Sequence, residues 1–195
     1  MAGRDAKATK GASRLRRAWW LIPVVALGAF FALTGGGFVV AKTLEERDSF
    51  CASCHSEPEA TYYQRSLAAQ PSDLASFHHG KSTRCIDCHA GPGLSGRVAA
   101  MRLGAGDLLA FALHTAVQPA PLTQPIGDSN CLKCHADVAA TRNMNRHFHA
   151  FLSQWQARDP NAATCVDCHQ THISNGDPQL EFLNRQHTEQ TCERC

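Results

Sequence analysis

Four copies of the pentapeptide Cys-x-x-Cys-His constrain this chain more than anything else in it: Cys51-Ala52-Ser53-Cys54-His55, Cys85-Ile86-Asp87-Cys88-His89, Cys131-Leu132-Lys133-Cys134-His135 and Cys165-Val166-Asp167-Cys168-His169. In such a motif two thiols add across the two vinyl groups of one haem, and the histidine that follows binds the iron from one side. Two thioethers and one iron ligand then come from five consecutive residues, so the spacing is strict. A lone copy also fits a redox or zinc Cys-x-x-Cys that happens to precede a histidine. Four copies point to four haems c, because free cysteine pairs need no histidine behind each one.

The chain has 195 residues and ten cysteines, too many thiols for an ordinary cytosolic protein. Eight belong to the motifs, and Cys192 and Cys195 lie at the end of the sequence. In bacteria haem c is attached outside the cytoplasmic membrane, which places the motif-bearing region there. Roughly 150 residues outside any anchor are few to enclose four haems in an independent apolar core. The haems themselves must supply much of the core. Aromatic content is 7%, and Gly, Pro and Ala are common, which suits short helices and loops wrapped around cofactors. The expected fold is mainly α with much irregular structure: one N-terminal transmembrane helix plus a small multihaem domain.

Residues 1–17 carry Arg4, Lys7, Lys10, Arg14, Arg16 and Arg17 against the single acid Asp5. That balance of +5 inside an overall +2 leaves the rest of the chain at −3. A mildly acidic domain, made more acidic by haem propionates, is not a nucleic-acid binder. Residues 18–41 hold no charge over 24 positions, and about 20 apolar residues suffice to cross the hydrocarbon layer as a helix. The basic tail predicts a cytoplasmic N-terminus, with Trp19-Trp20 at the interface. A cleaved signal peptide has the same order with a shorter apolar core; an uncleaved single-pass anchor in the bacterial cytoplasmic membrane fits the length better. Gly35-Gly36-Gly37 lowers helix propensity and predicts a break near the outer face. Residues 42–50 then form a short connector that keeps the first motif near the membrane surface.

Cys51 to Cys85 is 34 residues, Cys131 to Cys165 is 34 again, and the pairs are offset by 80. This predicts two dihaem modules from an old duplication, 51–118 and 131–195. Between them, 98–117 has helical composition, with Met101, Leu108, Leu109 and Leu113 as candidate packing residues. Pro119, Pro121 and Pro125 then form an extended linker over 119–130.

Eleven histidines less the four in the motifs leave His78, His79, His114, His147, His149, His172 and His187. A low-spin haem needs a second strong ligand, His or Met. His172, three residues after His169, suits a haem of another motif, and so does His79 (or His78) ahead of Cys85. His114 lies on the predicted inter-module helix, a rigid platform. His147 and His149 share a face only in extended backbone, so one of them serves. The expected second ligands are His79, His114, His172 and His149. Met101 and Met144 fit core positions better than iron ligation, and histidine ligation throughout predicts low reduction potentials.

From about Trp19 to His172 the chain resembles the NapC/NirT (NrfH-like) family of membrane-anchored multihaem cytochromes c. The resemblance rests on order: basic tail, single anchor, short connector, CxxCH, a histidine shortly before the second CxxCH, a helix carrying an Asp and then a His, and a CxxCH followed by His172. It implies oxidation of membrane quinol and transfer of electrons to a periplasmic oxidoreductase or multihaem partner protein, in a complex. It also implies that Asp107, seven residues before His114, is a proton acceptor near the quinol site. One branch of the family has a methionine two residues after the first motif histidine; here that residue is Glu57, so His55 is the expected ligand. A rival expectation is an electron-wire subunit of a larger membrane complex with no quinol site of its own, and a third is a reductase with one open iron.

Cys192-Glu193-Arg194-Cys195, with His187 upstream, reads as a fifth CxxCH lacking its histidine. A sequence that stops inside a longer protein, an altered fifth haem site and a disulfide all fit it.

Overall fold

The structure is a computed structural model that describes residues 5–54, 56–122, 125–141, 143, 145, 147–159 and 161–193. It divides into two compact units, Met1–Leu44 and Glu45–Cys195.

In the first unit the uncharged stretch is helical throughout as part of α1 (Asp5–Glu45). Leu21–Glu45 has a mean hydropathy of 2.1, is not buried against protein, and is the one helix among the described residues long and apolar enough to cross a membrane. The expected break at Gly35-Gly36-Gly37 is absent, and the helix also runs through Pro23. The connector, too, is mostly helical: α1 continues to Glu45 with Lys42 in its last turn, and α2 (Asp48–Cys54) starts three residues later.

The second unit is a chain of short helices without β-strands among the described residues; only isolated bridges join Leu183 to His169 and Asp177. After α2 come α3 (Glu59–Ser66), α4 (Leu74–His79), α5 (Cys85–His89), α6 (Gly93–Ala112), α7 (Asp128–Ala140), α8 (His147–Arg158), α9 (Cys165–Cys168) and α10 (Arg185–Cys192). Local chemistry sets several of these ends. Asp73, 1% exposed, accepts the Ser76 N–H at 2.8 Å while Ser76 Oγ accepts the Asp73 N–H at 3.0 Å, closing a capping box at the start of α4. The second Asp73 oxygen lies 3.0 Å from Arg65 of α3 and ties the two helices.

The inter-module helix starts earlier and ends earlier than its composition predicts. Leu113, His114 and Thr115 close α6: His114 has φ 56°, its N–H donates to Phe111 O at 3.1 Å, and the Thr115 N–H donates to Ala110 O at 2.9 Å. This is a left-handed terminating turn in which the last carbonyls find donors. The candidate packing residues do not pack. Leu108, Leu109 and Leu113 are more than half exposed, and Met101 alone of the four is partly covered. Arg97, Arg102 and Asp107 are spread around α6, so its leucines form no single apolar face to pack.

The protein core of the second unit is correspondingly small. Among the described residues its buried apolar side chains are Ala90, Ala150, Ala162 and Phe182. Phe182 is the only large one, set against Phe77 at 5.6 Å between ring centres. Phe182→Ala is therefore expected to cost about 3 kcal/mol, read as a lower denaturation midpoint of the intact protein; an unchanged midpoint would show that this contact is dispensable.

Candidate functional site

Each Cys-x-x-Cys-His motif sits on its own helix: Cys51 and Cys54 on α2, Cys85, Cys88 and His89 on α5, Cys131, Cys134 and His135 on α7, and Cys165 and Cys168 on α9 with His169 at its end. His55, Met144 and Cys195 lie outside the described residues, as does the side chain of His147.

The 80-residue offset recurs in the contacts. The first cysteines of the two motifs in each half influence each other's titration, Cys51 with Cys85 and Cys131 with Cys165. The neighbouring thiol lowers the pKa of Cys51 and of Cys131, the latter to about 7, and raises those of Cys85 and Cys165. The second motif of each half is capped by its own aspartate: Asp87 Oδ2 accepts the Arg84 N–H at 2.9 Å, and Asp167 Oδ2 accepts the Thr164 N–H at 2.8 Å. The halves are joined through the third motif, where Asn130 Nδ2 donates to Cys88 O at 2.6 Å and Lys133 Nζ to Ala90 O at 2.6 Å, with Asp87 O as a further acceptor.

Three motif histidines each face one non-motif histidine. His89 and His172 have ring centres 6.3 Å apart, His169 and His149 are at 6.1 Å, and His135 and His78 are at 6.0 Å. The interplanar angles are 25°, 12° and 84°. These gaps are too wide for rings in contact; Tyr62 on His172, at 4.0 Å and 5°, shows what a contact stack looks like here. A metal–imidazole bond of ~2.0 Å, plus ~1.1 Å from nitrogen to ring centre, puts two imidazoles on opposite sides of one metal atom about 6.2 Å apart. All three pairs have that separation, and ligation from opposite sides tolerates parallel and perpendicular rings alike.

The ring nitrogens fit as well. Histidines that bind a metal through one nitrogen commonly donate the other N–H to a carbonyl or carboxylate. His78 Nδ1 lies 2.9 Å from Leu74 O and His169 Nδ1 lies 3.0 Å from Glu181 O, which leaves Nε2 of each for a metal. His172 is held neutral, the ligating form, because burial and the nearby His89 lower its pKa to about 4 against a small opposing pull from Asp73. Among the described residues there is no cluster of three or more His, Cys, Asp or Glu that would enclose a bare metal ion. The donor set is instead pairs of imidazoles on a chain with four Cys-x-x-Cys-His motifs, which fits an iron whose other ligands come from a porphyrin.

The remaining candidates fall elsewhere. His79, adjacent to His78, turns to Asp48, with Nε2 3.1 Å from Oδ2. His114 is the exposed left-handed residue that ends α6 and joins no ring pair among the described residues, so it is not presented from a helix. Asp107 lies within α6 and is exposed. Cys192 is exposed at the end of α10, and His187 is partly covered near its start. The sequence reading passed over Asp48 and Asp128, although Asp48-Ser49-Phe50-Cys51 and Asp128-Ser129-Asn130-Cys131 share an Asp-Ser-x-Cys pattern at the 80-residue offset.

No protein-family model, curated protein or solved structure matches this chain.

Proposed function

We propose that this chain is a membrane-anchored tetrahaem c-type cytochrome that takes electrons from membrane quinol and relays them to a periplasmic redox partner. The observation that carries the reading is the set of three imidazole pairs at 6.0–6.3 Å, each joining a motif histidine to a histidine outside the motifs. Cys51, Cys54, Cys85, Cys88, Cys131, Cys134, Cys165 and Cys168 attach the groups covalently. His89 with His172, His135 with His78, and His169 with His149 would each hold one haem iron, and His55 would hold that of the first motif. Bound haem c supplies reversible one-electron iron chemistry at low potential when both axial ligands are histidine.

Leu21–Glu45 anchors the protein in the membrane, and the basic tail orients the second unit to the outer side. The first motif begins six residues after the span ends, within reach of a lipid-soluble donor. Oxidation of a quinol to the quinone releases two electrons and two protons, and the exposed Asp107 carboxylate accepts one of those protons.

A quinol analogue added to the purified protein in detergent is expected to reduce the haems, followed by their visible absorption. Asp107→Asn is expected to slow that reduction on the order of 100-fold while leaving reduction by dithionite intact. Equal rates in mutant and wild type would remove Asp107 from the mechanism. No reduction by quinol at all would leave the electron-wire reading in its place.

A further inference from the structure

In each half of the second unit one carboxylate joins three segments. Asp48, in the first turn of α2, accepts the Cys85 N–H at 2.9 Å through Oδ1, and its Oδ2 lies 3.1 Å from His79 Nε2 of α4. Asp128, in the first turn of α7, accepts the Cys165 N–H at 2.7 Å through Oδ1, and its Oδ2 accepts from Gln156 Nε2 of α8 at 2.6 Å. Each aspartate stands three residues before the first cysteine of its own motif. Each spans 37 residues to the first cysteine of the next. One oxygen takes the amide that opens the second attachment helix, and the other takes a side chain from the helix before it.

The partners of the second oxygen differ in kind, imidazole in one half and carboxamide in the other, yet the geometry is the same. A contact retained while its partner changes is not explained by the identity of that partner. What the two share is the outcome: the amide of the first cysteine of the second motif, Cys85 in one half and Cys165 in the other, is tied to the segment that carries the first motif. The aspartate bonds the amide of the very residue whose thiol attaches the group, so no flexible link intervenes between the clamp and the attachment point.

We propose that Asp48 and Asp128 are equivalent positioning residues, each fixing the spacing between the two haem-attachment sites of its own half. The proposal rests on the haem reading above. The carboxylates act through the backbone of Cys85 and Cys165.

The test uses the full-length membrane protein, with Asp48→Ala, Asp128→Ala and the corresponding Asn variants. Asn keeps an oxygen acceptor for the amide N–H, whereas Ala removes it. Intact mass counts the attached haems, and electron paramagnetic resonance reads the magnetic coupling between neighbouring irons. Asp48→Ala is expected to lose the coupling within the first half and leave that of the second, Asp128→Ala to do the reverse, and both Asn variants to retain the wild-type spectrum. Alanine variants with unchanged spectra would overturn the proposal, and so would variants that disturb both halves equally, which is general destabilisation. A wild-type mass showing no attached haem would instead sink the haem reading itself.

Discussion

Produced in a host that cannot attach haem, residues 45–195 are expected to lack cooperative tertiary structure. The buried apolar side chains of this unit among the described residues are one Phe and three Ala. Ordering each residue costs ~1–2 kcal/mol of backbone entropy, while a fully buried large apolar side chain returns only ~1.5–3 kcal/mol. So small a core cannot offset the ordering of so long a stretch. Meanwhile Leu94 is 74% exposed, Leu109 60% and Leu113 62%, apolar surface that needs a cover. Near-UV circular dichroism and limited proteolysis check the expectation: the haem-free chain should show no aromatic dichroism and rapid cleavage throughout the second unit, with the α1 span protected in the membrane. A haem-free chain with a sharp thermal transition would show that the protein core suffices and would remove the haems as its structural filling.

The four motifs were legible in the sequence because they are local: two thiols and an imidazole within five residues need no tertiary context. The long apolar helix was legible for the same reason: 24 uncharged residues in a row need no tertiary context to be recognised, and the helix runs on through Gly35-Gly36-Gly37. What depended on side-chain direction was not. His78 and His79 are neighbours in sequence, but on a helix they point about 100° apart, and only the packing of α4 decides that His79 meets Asp48 while His78 meets His135. The placement of His114 on the inter-module helix was not legible either, because nothing local announces that α6 closes at Ala112 and is followed by a left-handed residue other than glycine. The clamp aspartates were missed for a further reason. Their bonds run to backbone amides 37 residues away, and a backbone partner leaves no mark in sequence; only the repeated Asp-Ser-x-Cys pattern betrayed them.

Replacing His78, His149 or His172 singly by Ala is expected to convert one low-spin haem per protein into a high-spin haem that binds carbon monoxide once reduced. His79→Ala is the control. Its ring nitrogen is engaged by the Asp48 carboxylate at 3.1 Å rather than directed at a motif histidine, so the number of low-spin haems should not change. Adjacent residues on one short helix thus give opposite spectra, which general damage to α4 would not produce. His172→Met sharpens the assignment, because exchanging an imidazole for a thioether raises the reduction potential of the affected haem, by on the order of 0.1 V. The Arg65 guanidinium donating to His172 O at 3.1 Å holds the backbone in place for the substitution. Redox titration followed optically should then show one of the four steps move upward with the others fixed. If His79→Ala instead opened a haem and His78→Ala did not, the pairing of His78 with His135 would be wrong, and α4 would have to rotate by about one residue, or 100°, to bring His79 to the iron.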